Sequence, residues 1–196
     1  MSLKNNLHDS FRRVFNDLQI SDKELKEVSD LFIERKYPKN KTLITEGEQW
    51  NNIFYIHKGI IRLFYMDNKG REFNKGFYWE GQLAWPIAPS AQKEGSLFHI
   101  ATVEDTVVSI CPFNRFHSWL AHHGCWEKFA LMYTEAFVEQ KFAREHEFLL
   151  NSATERYHKF CNKYPFLVNR IPDYHLASYI GISNVSLSRI KKSSDF

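Results

Sequence analysis

Apolar residues recur along this chain with more than one rhythm, and the changes of rhythm divide it. Phe11, Val14, Phe15 and Leu18 fall at i, i+3, i+4 and i+7, the spacing of one helix face. Leu25, Val28, Leu31 and Phe32 repeat it directly after Ser21-Asp22-Lys23-Glu24, a capping-box pattern in which serine and glutamate satisfy each other's free backbone N–H groups. Two amphipathic helices therefore lead in. From Glu34 the pattern changes to short runs of β-branched and aromatic residues broken by glycines. Strands are predicted at Ile53 to His57, Ile60 to Met66, Arg71 to Tyr78, His99 to Val103 and Thr106 to Cys111. Turns fall at Lys58-Gly59, Asp67 to Gly70 and Glu104-Asp105. Short strands at this spacing predict a small antiparallel barrel or jelly roll.

Pro112 ends the strands. Phe113 to Leu120 reads as a short helix, and from Gly124 a long one runs to about Leu150 with no further proline or glycine. Its apolar residues make more than one stripe, so it needs two partners. One face is assigned to its own barrel. The other, with Phe129, Tyr133, Ala136, Phe137 and Gln140, is assigned to the same helix of a second copy across a two-fold axis. A wholly intramolecular central helix is the alternative. Residues 151–154 make the expected hinge, Ala153 to Tyr164 a further helix, and 165–170 a short connector or reduced hairpin.

The last periodic stretch is the most informative. Leu176, Ala177 and Ile180 mark the inward side of one short helix, and Ile182, Leu187 and Ile190 that of a second. Gly181 supplies the positive φ of the turn between them, and Ser183 stands at the N-cap. That is a helix-turn-helix pattern, although a plain helical hairpin has the same spacing. Charge favours the first reading. From Asn151 onward seven basic side chains face three acidic ones, a surplus of four, whereas the whole chain carries +3, so the residues before Asn151 sum to about −1. The basic footprint of a phosphate-binding surface lies on this segment.

Composition narrows the rest. The chain has 196 residues, 43% of them hydrophobic, enough for a packed core. No apolar run approaches a membrane span and no secretory signal is evident, so a cytoplasmic protein without membrane attachment is expected. Cys111, Cys125 and Cys161 are odd in number and widely spaced, which argues against disulfides or a thiolate metal site. His122-His123-Gly124-Cys125 lacks a fourth ligand, Glu145-His146-Glu147 lacks the second histidine of a zinc-protease helix, and no phosphate-binding glycine loop is present. No enzyme activity and no cofactor are expected.

Glu46-Gly47-Glu48, the run Ile53 to Gly59, Glu80-Gly81-Gln82-Leu83, Val103-Glu104-Asp105-Thr106 and above all Tyr174 to Ile190 carry a resemblance. With barrel, long helix and helix-turn-helix in that order, the chain from Leu25 to Lys192 resembles the Crp/Fnr family of bacterial transcription regulators. The resemblance implies an α+β fold: an antiparallel β-barrel sensor of the cyclic-nucleotide-binding type (1–123), a dimerisation helix (124–150) and a small winged-helix-like helix-turn-helix domain (151–196). It implies double-stranded DNA as partner, a homodimer on pseudo-palindromic sites, and RNA polymerase as a further partner if the protein activates. Arg189 matches the family's base-reading arginine. Asn184 and Val185 occupy its other base-reading positions, Ser183 and Ser186 lie near the DNA backbone, and Lys191 and Lys192 add charge. Tyr174 and His175 complete the candidate DNA-binding set.

The family's cyclic-nucleotide pocket needs a Gly-Glu and an Arg-Ser pair, which here fall on Trp85-Pro86 and Gly95-Ser96. With Gln82 these make a degenerate effector pocket, since a buried phosphodiester without a guanidinium binds poorly. Any effector is then an unknown small molecule other than cyclic AMP. The family's iron-sulfur mode is excluded, no cysteine preceding Cys111, whereas haem ligation by a histidine stays open. The alternative function is a ligand sensor or interaction protein whose helix-turn-helix is only structural.

Overall fold

A computed structural model describes residues 3–18 and 20–194; the ends of the first and last expected domains lie outside the described residues. The leading helices are α1 (Leu3–Val14) and α2 (Asp22–Asp30). The capping box forms as its sequence requires: Ser21 N–H donates to Glu24 Oε2 at 2.7 Å and Glu24 N–H donates back to Ser21 Oγ at 3.4 Å. The first helix stops earlier than its apolar spacing suggests, and a 3₁₀ turn at Asn16–Leu18 carries Leu18 into the same core. Phe11, Phe15 and Phe32 meet Phe116 and Phe129 there as tilted, edge-to-face and, for Phe15 with Phe116, stacked pairs, geometries favoured by aromatic quadrupoles when the rings are offset.

Eight strands follow: β1 (Ile33–Tyr37), β2 (Thr42–Ile44), β3 (Asn52–Lys58), β4 (Ile61–Met66), β5 (Glu72–Tyr78), β6 (Leu83–Ala84), β7 (His99–Thr102) and β8 (Thr106–Pro112). They form two antiparallel four-stranded sheets, ordered β1-β8-β3-β6 and β2-β7-β4-β5, the two-sheet arrangement of a jelly roll. Ile44, Phe54, Ile56, Ile61, Ile100 and Val108 fill the space between them. Strand β1 and the short helix α3 (Pro89–Lys93) have no clear apolar signal. Glu34, Arg35 and Lys36 stand side by side in β1, whose charged residues line the edge of its sheet, where charge discourages pairing with foreign strands.

Helix α4 (Phe113–His122) and the long helix α5 (Trp126–Leu150) are separated by Gly124 at φ 65°. The first turns of α5 close the barrel. Trp85 stacks on Phe113 at 6.1 Å and meets Trp126, Phe129 and Tyr133 around its other sides. Two of the residues assigned to a dimer interface are thereby withdrawn from it: Phe129 is only 1% exposed, and Tyr133 is half-buried against the same cluster. The sequence shows that α5 has several apolar stripes, but only the three-dimensional packing shows which stripe the barrel takes.

Asn151 and Ser152 are the whole break between α5 and α6 (Ala153–Lys163), and Ser152 builds a second capping box with Glu155. Residues 165–170 form turns, leading to α7 (Asp173–Ile180) and α8 (Asn184–Ser194). Among the described residues no strand follows Pro112, so the likeness to a winged helix rests on three helices alone. Phe160, Leu167, Leu176 and Leu187 share one apolar cluster with Ile60, Phe77 and Val103 of the barrel. Replacing Phe129 by Ala should cost about 3–5 kcal/mol of stability, read from the midpoint of urea unfolding; a loss under ~1 kcal/mol would contradict its place in the core.

Candidate nucleic-acid interface and barrel pocket

Helix α8 has one buried and one open side. Leu187 and Ile190 pack inward, while Asn184, Val185, Ser188, Arg189 and Lys192 are exposed and follow one another at helical spacing. Val185 is 62% exposed. Ser183 caps the helix by accepting from Ser186 N–H at 3.1 Å, and the two hydroxyls bond at 2.9 Å. The turn before it depends on Gly181. Its φ is 73°, Ile182 N–H reaches back to the Ala177 carbonyl at 3.0 Å, and a Cβ there would lie 2.4 Å from the Phe148 ring. The positive φ is what calls for glycine, since the half-exposed Phe148 ring could shift away from a Cβ.

The other candidate DNA-face residues divide. Tyr174 is 52% exposed at the start of α7, and Lys192 is free of any ion pair among the described residues. Lys191 is ion-paired with Asp173, which offsets part of its attraction for phosphate. His175 does not belong to this face. It is 3% exposed and turned toward the barrel, because one helical step separates it from Tyr174 and places it beside Ser178, above β5.

That contact fixes the helix-turn-helix on the barrel. Asn74 of β5 donates its backbone N–H to Ser178 Oγ at 2.9 Å, and its side-chain amide reaches the His175 carbonyl at 3.2 Å and His175 Nδ1 at 3.3 Å. Ser178 Oγ donates to the Glu72 carbonyl at 2.9 Å. Arg62 supports Asn74 Oδ1 at 3.2 Å and pairs with Glu72 at 2.8 Å. Arg144 of α5 donates to the carbonyls of Lys75, Asn74 and Tyr179 at 3.0, 3.2 and 2.9 Å. Arg170 closes the far side by pairing with Glu80 at 2.6 Å and with Glu104, and these carboxylates raise its already high pKa. None of these partners touches the open side of α8.

A cavity of about 630 Å³ lies between β5, the segment 79–87 and the middle of α5. Of the residues assigned to a degenerate effector pocket, only Gln82 lines it. Trp85 belongs to the aromatic core, and the Pro86 carbonyl accepts from Gln92 at 2.7 Å. Gly95 approaches Gly47 so closely that a Cβ would lie 2.5 Å from its carbonyl oxygen, while Ser96 is buried and donates to the Phe98 carbonyl at 2.6 Å. These four positions serve the barrel's own loops. The cavity's basic residues, Lys75, Lys141 and Lys163, were not legible as a site, being scattered over 88 positions between the first and last.

Other candidate chemistry is sparse. Burial pushes the Cys111 thiol up to about 12 and raises Cys125 as well, the latter with help from Glu24, so neither is poised as a thiolate. Among the described residues no three His, Cys, Asp or Glu side chains gather as a metal site, and no helix is long and apolar enough to cross a membrane.

No protein-family model matches the sequence, and no curated protein matches it. Solved structures do. FixK2 from Bradyrhizobium japonicum superposes with a TM-score of 0.73 at 14% identity, covering 83% of each chain. CLP, a c-di-GMP responsive global regulator from Xanthomonas campestris, gives 0.69 at 13% identity over 89% of this chain and 92% of its own. A protein from Eubacterium rectale assigned to the Crp/Fnr family of transcriptional regulators gives 0.62 at 16% identity over 92% and 85%. The chain thus has the fold of Crp/Fnr-type regulators: jelly-roll barrel, long helix and helix-turn-helix.

The docked face also titrates. Burial, then the Arg62 cation, lowers the pKa of His175 to about 4. Because the folded value lies below the unfolded one, the stabilisation is fully present above about pH 6.5 and is lost as pH falls toward 4, up to about 3 kcal/mol. His175→Gln should flatten the fall in urea-unfolding stability between pH 7 and 4.5; an unchanged pH profile would exclude His175 as its source.

Proposed function

We propose that this protein is a sequence-specific transcriptional regulator that binds double-stranded DNA as a homodimer. The observation that carries this reading is the open face of α8, with Arg189 and Lys192 exposed and in no ion pair among the described residues while the rest of the helix-turn-helix is clamped in place. A rigidly held helix with exposed amide, guanidinium and ammonium groups suits the major groove. Arg189 reads guanine through a bidentate contact. Asn184 can pair with adenine, and the exposed Val185 methyls can meet a thymine methyl. Ser183, Ser186, Tyr174 and Lys192 serve the DNA backbone.

The homodimer is supported by a second stripe on α5. Leu131, Val138, Phe142 and Leu149 are all exposed, Phe142 at 63%, and they are spaced by seven, four and seven residues. That is a heptad seam without a partner. Glu135 and Glu145 occupy intervening positions, so the seam is narrower than a leucine zipper. It replaces the face centred on Phe129; Ala136 and Gln140 are exposed but flank the cavity, together with the half-buried Phe137. Two copies joined here present two recognition helices to half-sites about one helical turn apart, roughly 34 Å.

In this reading residues 1–123 sense, 124–150 dimerise and 151–196 bind DNA. RNA polymerase is the further partner of an activator. The barrel does not answer to cyclic AMP, since Trp85, Pro86, Gly95 and Ser96 are taken up by its own packing. It carries out no catalysis, and a soluble cytoplasmic setting suits it.

Selection from a random duplex pool should enrich a pseudo-palindrome whose affinity falls steeply with salt. Arg189→Ala should lose about 1–3 kcal/mol on that sequence and little on random DNA; equal binding of both by parent and variant would end the base-reading role. Phe142→Glu should shift the protein to monomers in sedimentation velocity, and a dimer of undiminished strength would exclude the α5 seam.

A further inference from the structure

Phe148 stands where no core requires it. It lies in the last turn of α5, is 40% exposed and belongs to none of the apolar clusters among the described residues. Its neighbours are two cations and a turn. The guanidinium carbons of Arg144 and Arg156 lie 5.1 and 5.0 Å from its ring centre, and the ring edge comes up against Gly181. An aromatic face attracts such cations and fixes where their planes lie.

The same two arginines reach past the ring to the end of α7. Arg144 donates to the Tyr179 carbonyl at 2.9 Å and Arg156 Nε donates to the Ile180 carbonyl at 2.8 Å, the last two carbonyls of that helix. Carbonyls at a helix C-terminus carry partial negative charge and lack a partner within the helix, so guanidinium donors suit them. Arg156 also donates to the Asn151 carbonyl at 2.7 Å, and Lys159 to Asn151 Oδ1 at 2.7 Å. The two-residue break between α5 and α6 is thereby stiffened. One ring and two arginines join the end of α5 to the turn from which α8 starts, for Ser183, which caps α8, is two residues beyond Gly181.

We propose that Phe148, Arg144 and Arg156 form a clamp that fixes the start of α8 to the end of the long helix and so determines which half-site spacing the protein accepts on DNA. This rests on the reading of α8 as the recognition helix and of α5 as the dimer helix. Two recognition helices joined to their dimer helices only through Asn151 and Ser152 would adjust to several spacings. Helices clamped at the end of α5 would not. One base pair more or less between the half-sites displaces one of them by about 3.4 Å and turns it by roughly 34°, and a clamped pair then loses the contacts of one half-site. The three residues touch no base; they act on specificity through position.

The test uses the full chain and the duplex enriched from the random pool, its half-sites kept and its spacer lengthened or shortened by one base pair. The parent should bind the enriched spacing about thirtyfold tighter than either altered one. Phe148→Leu keeps the apolar bulk and loses the ring; Arg156→Lys keeps the charge and loses the planar fork. Each should reduce the ratio to about threefold or less, with affinity for a single half-site and dimerisation in sedimentation velocity as in the parent. Without DNA, exchange of the Gly181 and Ile182 amides, which donate to the Ser178 and Ala177 carbonyls, should quicken about tenfold in both variants while β3 and β8 keep their protection. Phe148 and Arg156 are both partly exposed, so neither change empties a core. A spacing ratio that survives both variants, or unchanged exchange at the turn, would overturn the proposal and leave the DNA-binding reading standing. A parent that enriches no duplex would end that reading and the spacing role with it.

Discussion

The guanidinium of Arg144 is where the three parts of this molecule meet. It projects from the long helix, donates to two carbonyls of β5 and one of α7, and lies over the Tyr179 ring at 4.2 Å. A charged donor to a backbone carbonyl is worth about 1.5–3 kcal/mol where water is excluded, roughly twice a neutral bond. One side chain thus sets the long helix against the barrel and the helix-turn-helix against both. The β5 carbonyls it satisfies lie at a β-bulge, where Leu63 pairs with Gly76 and Phe64 with Asn74, so the irregularity that leaves Lys75 as the extra residue also supplies the acceptors.

Around that point the helix-turn-helix is held by polar contacts on one side and by a shared apolar cluster on the other. Asn74, Ser178 and His175 exchange hydrogen bonds in a region closed to water, where each unmet donor would cost about 1–3 kcal/mol. The consequence is a defined orientation rather than a tethered domain. Helix α7 gives its inner face to β5 and the aromatic cluster, and the outer face of α8 is left free because α6 and α7 already cover its apolar side. The charged pair of Arg170 with Glu80 and Glu104 adds a second latch at the opposite edge, itself partly exposed and so weaker than its geometry suggests.

Much of this was legible from residue order. The capping boxes, the strand runs and the helix-turn-helix rest on local rules, and the structure follows them at Ser21, Gly181 and Ser183. The less local readings fared differently. His175 sits one residue from Tyr174, and helical spacing alone cannot say which of the two looks outward when both ends of α7 have neighbours. The effector positions read by alignment, Trp85-Pro86 and Gly95-Ser96, fell on residues occupied with barrel packing, while the lysines that line the cavity come from β5, α5 and α6 and carry no common motif.

Sequence by itself therefore determined the order of most elements, the jelly-roll character of the barrel, the basic C-terminal segment and the residues on the two faces of the helix-turn-helix. Each follows from interactions between residues a few positions apart, whose geometry the backbone fixes in advance. Only the tertiary structure decided which stripe of α5 the barrel buries, that α7 docks on β5, and which lysines gather beside the cavity. Those outcomes depend on contacts between residues seventy to a hundred positions apart, as Arg144 with Lys75 and Asn74 with Ser178. Hydrophobicity and charge say that such residues need partners; the closure of the chain selects them.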